Sequence, residues 1–123
     1  MDKKRILLVE DEKDISRMTK SRLESDGYEV MVAYDGHMAL QEARSKKPDL
    51  IILDVMMPKM DGYKVCRMLK YDSEHKDIPI VMLTARALDS DKKTGEEVGT
   101  DAYIVKPFKW DVLTDKICEL LGK

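Results

Sequence analysis

Three short stretches, Ile6-Leu7-Leu8-Val9, Leu50-Ile51-Ile52-Leu53 and Ile80-Val81-Met82-Leu83, are apolar at every position. A strand with one wet face alternates apolar and polar residues, so a strand without a polar position is covered on both faces. Such strands belong in a parallel sheet, whose crossover connections lay helices over it. The intervening segments fit that role. Ile15, Met18 and Leu23 predict one face of a first helix, with Gly27 as its C-cap. Met38, Leu40 and Ala43 predict a second helix that ends before Pro48, and Val65, Met68 and Leu69 a third. Val112, Leu113, Ile117, Leu120 and Leu121 predict a last one. Weaker signals at 28–33 and 102–105 bring the strands to five. The segment 87–99 has few apolar anchors, chiefly Leu88 and Val98, and an interior Gly95. An interior Gly costs a helix about 1 kcal/mol relative to Ala, so this helix is expected to be weakly packed and easily displaced. Five strands alternating with five helices make a doubly wound α/β sheet.

At 123 residues the chain suits one domain spanning 1–123. No apolar run approaches the ~20 residues of a membrane-crossing helix. The start Met1-Asp2-Lys3-Lys4-Arg5 also lacks the apolar stretch of a secretory leader. A soluble, cytoplasmic protein is expected, without membrane contact. Twenty-two basic residues against 24 acidic ones leave a net charge of -2, so the basic footprint of direct nucleic-acid binding is missing. Cys66 and Cys118 fall in separate predicted helices without a CxxC pair and read as small buried apolar residues. His37 and His75 read as isolated, which leaves zinc no ligand set.

The chemistry collects where the strands end. The first strand is followed by Glu10 and Asp11, the third by Asp54, the fourth by Thr84 and the fifth by Lys106. Parallel strands share one C-terminal edge, and ligands of such sheets bind in the crevice there. Taken singly, each residue has a bland reading as a helix cap, turn residue or loop residue. Taken together, four strand ends agree on one pocket. Glu12, Asp61 and Asp101 read as structural. Crowded carboxylates oppose each other's ionisation, and a hard divalent cation such as Mg²⁺ relieves them. Lys106 offers a compact positive charge to a phosphoryl oxygen. The set is complete for moving a phosphoryl group onto a carboxylate: Asp54 attacks phosphorus, Mg²⁺ and Lys106 neutralise developing charge, and Thr84 donates to a phosphoryl oxygen.

At these residues the chain resembles the receiver domain of bacterial two-component response regulators, from Ile6 to about Leu121. The most specific stretches are Ile6-Leu7-Leu8-Val9-Glu10-Asp11, Asp54-Val55-Met56-Met57-Pro58-Lys59-Met60-Asp61-Gly62, Leu83-Thr84-Ala85 and Lys106-Pro107-Phe108. The resemblance implies the flavodoxin-like strand order 2-1-3-4-5. It implies that Asp54 accepts phosphate from a histidine kinase or a histidine phosphotransfer protein. Glu10, Asp11, Asp54 and the backbone carbonyl of Met56 would hold Mg²⁺. Thr84 and Tyr103 would be a switch pair, and the Lys106-Pro107 bond would be cis. The output would be a changed surface on the 87–99 helix, the fifth strand and the last helix, read by a downstream effector protein or a missing output domain. Catalysis would be limited to the domain's own phosphorylation and slow dephosphorylation, and the protein would be a monomer or a weak phosphorylation-dependent dimer. The kinase side would dock near Ile15, Met18 and Phe108.

Two rivals fit less well. Haloacid-dehalogenase-like phosphatases carry an Asp-x-Asp pattern after the first strand, whereas Asp54 follows the third and Met56 holds the second position. A receiver reduced to a binding module would lack the acceptor, the acidic pair or the lysine, and all are present. A flavin phosphate loop is opposed by Glu10-Asp11-Glu12, which repels an anion.

Overall fold

The computed structural model describes residues 3–55, 62–84 and 100–122. The elements are β1 (Arg5–Val9), α1 (Lys13–Ser25), β2 (Glu29–Ala33), α2 (Gly36–Lys46), β3 (Leu50–Asp54), α3 (Gly62–Lys70), β4 (Ile80–Thr84), β5 (Ala102–Val105) and α4 (Trp110–Leu121). The helix expected at 87–99 lies outside the described residues. The strands form one parallel sheet in the order β2-β1-β3-β4-β5, as expected.

The fully apolar runs are explained by a two-sided core. Leu7 and Val9, Ile51 and Leu53, and Ile80 and Met82 point to one face, where they meet Ala39, Leu40 and Ala43 of α2 and Val65, Cys66 and Leu69 of α3. Their chain neighbours point to the other face. There Ile6, Leu8, Leu50, Ile52, Val81 and Leu83 meet Leu23 of α1 and Leu113 and Ile117 of α4. Every one of these side chains is buried, and each Leu or Ile contributes about 1.5–3 kcal/mol by leaving water. Local signals set the helix ends. The Asp35 carboxylate caps α2 by accepting from the Met38 N–H at 2.8 Å. Gly27, at φ 97, takes the left-handed turn after α1, and Gly122, at φ 74, does so after α4.

Several readings need correction. Ile15 and Met18 do not face the core: they are 36% and 63% exposed, while Ser16 is buried in that helix together with Leu23. The Ser16 hydroxyl bonds the Lys13 carbonyl at 3.0 Å, so a polar residue occupies a place that apolar periodicity does not count. Met68 and Val112 are exposed as well, with Val65, Cys66 and Leu69 forming the packed face of α3 and Leu113 and Ile117 that of α4. Cys118 is only half-buried and lies 3.8 Å from the Tyr28 hydroxyl, whereas Cys66 is buried and its thiol is pushed up to about 12 by that burial. His75 is not isolated: it is buried, and its Nδ1 donates to Asp72 Oδ2 at 2.9 Å in the turn before β4. Among the described residues, no helix is long and apolar enough to cross a membrane.

Candidate functional site

Because all five strands run the same way, Glu10, Asp54, Thr84 and Lys106 arrive at one edge of the sheet. Glu10 follows β1 directly and its N–H donates to the Ala33 carbonyl at 3.0 Å, which continues the ladder and buries the residue. Asp54 closes β3 and is buried too, while Asp11 is exposed. A carboxylate oxygen from each of Glu10, Asp11 and Asp54 lies within 4.8 Å of the other two. Lys106 stands over the pair of buried acids, its Nζ 2.8 Å from Asp54 Oδ2 and 3.7 Å from Glu10 Oε1. The Lys106 N–H donates to the Thr84 carbonyl at 2.6 Å, which ties the end of β5 to the end of β4. The Lys106-Pro107 bond is cis, as expected. Thr84 is buried at the last position of β4.

Among the described residues, the Lys106 ammonium faces two of these three carboxylates, those of Glu10 and Asp54. Burial, aided by the nearby Asp54 charge, pushes the Glu10 carboxyl up to about 7, against the pull of the Glu12 N–H that donates to its Oε2 at 3.2 Å. For Lys106, burial favours the neutral amine. The bond and charge of Asp54, followed by Glu10, outweigh it and hold the ammonium above its ordinary range. A divalent cation would offset the mutual repulsion of these acids, and three convergent carboxylates are oxygen donors of the hard type that Mg²⁺ takes. The fit is good.

A pH effect follows for the metal-free chain. The folded Glu10 value of about 7 exceeds its ordinary 4.5, so the folded state holds the extra proton between those pH values. The resulting stability is complete below pH 4.5 and is lost as pH rises through 7. In EDTA, Glu10→Gln should therefore gain thermal stability relative to wild type across that rise, and Mg²⁺ at neutral pH should stabilise wild type more than the variant. A constant difference between the two from pH 4 to 8, with or without Mg²⁺, would contradict the raised Glu10 value.

Tyr103 lies on β5, its ring half-buried against the α2/α3 core, with its hydroxyl 3.2 Å from that of Tyr63. In the sheet register Tyr103 pairs with Met82 and Thr84 with Val105, so the two residues stand two positions apart on neighbouring strands. Tyr63 was not singled out from the sequence, where a tyrosine after Gly62 carries no separate signal. Gly62 has a steric reason that the sequence also hides: a Cβ there would fall 2.7 Å from the Asp54 carbonyl oxygen and 2.8 Å from Val55 Cα. The Met56 carbonyl and Asp61 lie outside the described residues. Asp101 is at the opposite edge, accepting from the Ile80 N–H at 2.8 Å and from Lys70 Nζ at 2.7 Å. Glu12 is the N-cap residue of α1.

Residues 6–118 match the profile of the response regulator receiver domain. A Cyanophora paradoxa protein named a probable transcriptional regulator, ycf27, is 49% identical over 123 residues, which are 100% of this chain and 50% of that protein. The alkaline phosphatase synthesis transcriptional regulatory protein PhoP of Bacillus subtilis (strain 168) is 48% identical over 105 residues, 85% of this chain and 43% of its own. The chain thus spans about half the length of the curated relatives it matches. Among solved structures, the chemotaxis protein CheY4 of Vibrio cholerae superposes with a TM-score of 0.91 at 35% identity, covering 98% of this chain and 100% of its own. The receiver domain of a sensor histidine kinase from Pseudomonas aeruginosa PAO1, solved with a magnesium ion coordinated in its active-site cleft, gives 0.90 at 32% identity. It covers 99% of this chain and 100% of its own.

Proposed function

The chain belongs to the response regulator receiver domain family, and on that premise we propose that it is a phosphoacceptor switch in which Asp54 takes a phosphoryl group from a phosphohistidine donor. The observation that carries this reading is the 2.8 Å contact of Lys106 Nζ with Asp54 Oδ2 inside a cluster of three carboxylates. An Asp54 carboxylate oxygen attacks phosphorus, the P–N bond to the donor imidazole breaks, and the imidazole leaves with its electron pair and takes up a proton. The product on Asp54 is a mixed carboxylic–phosphoric anhydride. Lys106, already at the acceptor, neutralises charge on the transferred group, and the Thr84 hydroxyl donates to it. Glu10, Asp11, Asp54 and the Met56 carbonyl would hold Mg²⁺, which would supply electrostatic stabilisation of phosphoryl oxygens. Water later cleaves the anhydride and restores the carboxylate, so the chain turns over only its own phosphoryl group.

The new group adds almost two negative charges at a strand edge where Thr84 and Tyr103 act as the switch pair. Their movement alters the surface on β5, α4 and the 87–99 segment, which an effector protein or an output domain reads. The chain works as a single receiver unit over 1–123 in the cytoplasm, as a monomer or a weak phosphorylation-dependent dimer. The phosphate source, a histidine kinase or a histidine phosphotransfer protein, docks where Ile15, Met18 and Phe108 line a cavity beside Lys106. Arg22 stacks over Trp110 there at 4.6 Å. The exposure of Ile15 and Met18, at odds with a core-facing role, supports that assignment.

The test is to treat the chain with phosphoramidate, a small P–N donor, and reduce the product with borohydride, which converts an aspartyl phosphate to homoserine. Homoserine at position 54 alone supports the reading. Homoserine elsewhere, or none, overturns it.

A further inference from the structure

We propose that the open edge of the sheet, where α1 and α2 flank β2, takes an extended acidic segment of a partner protein as an added strand. Among the described residues, strand β2 ends the sheet, with β1 as its one neighbour. Its inward groups are identified by two bonds: the Glu29 N–H donates to the Lys4 carbonyl at 3.0 Å, and the Ala33 carbonyl accepts from the Glu10 N–H at 3.0 Å. Backbone groups alternate in direction along a strand, so the N–H and C=O groups of Val30 and Val32 face outward. Unpaired edge groups of this kind are a template for strand addition.

A groove of about 520 Å³ runs along this edge over Val30, Met31 and Val32. Its rim is basic. Lys13, Arg17 and Lys20 line it from α1, at spacings of four and three that put them on one helix face, and Lys46 lines it from α2. Glu42 is the carboxylate among the described lining residues, and Lys46 already pairs with it at 3.0 Å. Lys13 is also held near the groove, its Nζ 5.8 Å from the centre of the Tyr34 ring. In a chain of net charge -2, this concentration of cations is local.

An extended peptide of alternating acidic and apolar residues satisfies both features. Its backbone pairs with Val30 and Val32, its carboxylates meet Lys13, Arg17 and Lys20, and its apolar side chains rest near Met31 and Met38. A small anion answers the charge and leaves the strand edge unused. Lysines also guard exposed edges against association, and that role predicts no binding at all.

The test uses a fluorescein-labelled heptapeptide of alternating Glu and Val, its Lys/Val counterpart, and the Glu/Val peptide N-methylated at alternate positions, each followed by anisotropy. The Glu/Val peptide should bind saturably and at least about tenfold more tightly than the Lys/Val one, since opposed charge patterns select partners. The double variant Arg17→Glu/Lys20→Glu should weaken it by about tenfold, because both altered side chains line the rim and reverse its charge. Thermal melting checks that this variant is folded. N-methylation, which removes ladder donors and leaves charge intact, should also weaken binding about tenfold. Absent or unsaturable binding overturns the proposal, and so does binding indifferent to the double variant. Equal binding of the N-methylated peptide, or displacement by inorganic pyrophosphate beyond the effect of equal ionic strength, overturns it in favour of a small-anion groove.

Discussion

Gly62→Ala lowers the free energy of unfolding by about 2 kcal/mol, although it places the best helix former at the start of a helix. Two effects compete. Ala in place of Gly favours α3 by about 1 kcal/mol. Against that, the new Cβ meets backbone: the Asp54 oxygen at 2.7 Å and Val55 Cα at 2.8 Å, neither of which can rotate away. Overpacking of this kind costs about 3 kcal/mol. The approach is fixed by the Gly62 N–H, which donates to the Val55 carbonyl at 3.0 Å and presses the helix start against the end of β3. The expected melting temperature falls by roughly 8 °C, with the urea midpoint lower and the m-value unchanged. Because the displaced atoms belong to Asp54, phosphoryl uptake slows as well. A variant as stable as wild type would show that the contact is not enforced.

Lys106→Ala has a comparable effect through charge. It leaves Glu10 and Asp54, both buried, without the ammonium that stands 3.7 and 2.8 Å from them. Removing one partner of a fully buried ion pair costs about 3–5 kcal/mol. The Lys106 side chain is 30% exposed, so water takes part of its place and the expected loss at neutral pH is about 2 kcal/mol. Three comparisons check the cause. The loss shrinks as pH falls and Glu10 protonates, Mg²⁺ offsets most of it, and Lys106→Met, which keeps the apolar stem, loses as much. Full stability in Lys106→Met would mean that packing, and not charge, is what Lys106 contributes.

The legible part of the fold was the part governed by burial on two faces. β1, β3 and β4 announce themselves because both sides of each are covered, and the same runs fix where the chemical residues must gather. β2 and β5 flank them at the rims of the sheet, so several of their residues are only partly buried and the signal weakens. Helix faces were less legible. Ile15 and Met18 have helical spacing and point to solvent, because periodicity reports that apolar residues share a face and not what the face meets. Ser16 is buried through a bond to its own helix, which hydrophobicity cannot register. The pocket's members were readable at strand ends, whereas its electrostatics were not: the height of the Glu10 value depends on burial and on Asp54, 44 positions away in sequence. The Gly62 contact and the Tyr63–Tyr103 pair likewise exist only once β3, α3 and β5 are packed together.

The central claim is tested most directly by intact mass after incubation with acetyl phosphate, with Mg²⁺ and with EDTA, on wild type and Asp54→Ala. A single phosphoryl adduct that needs Mg²⁺ and is missing in the variant is the expected result. An adduct that persists in Asp54→Ala, or one indifferent to Mg²⁺, would contradict the assignment of Asp54 and its carboxylate neighbours.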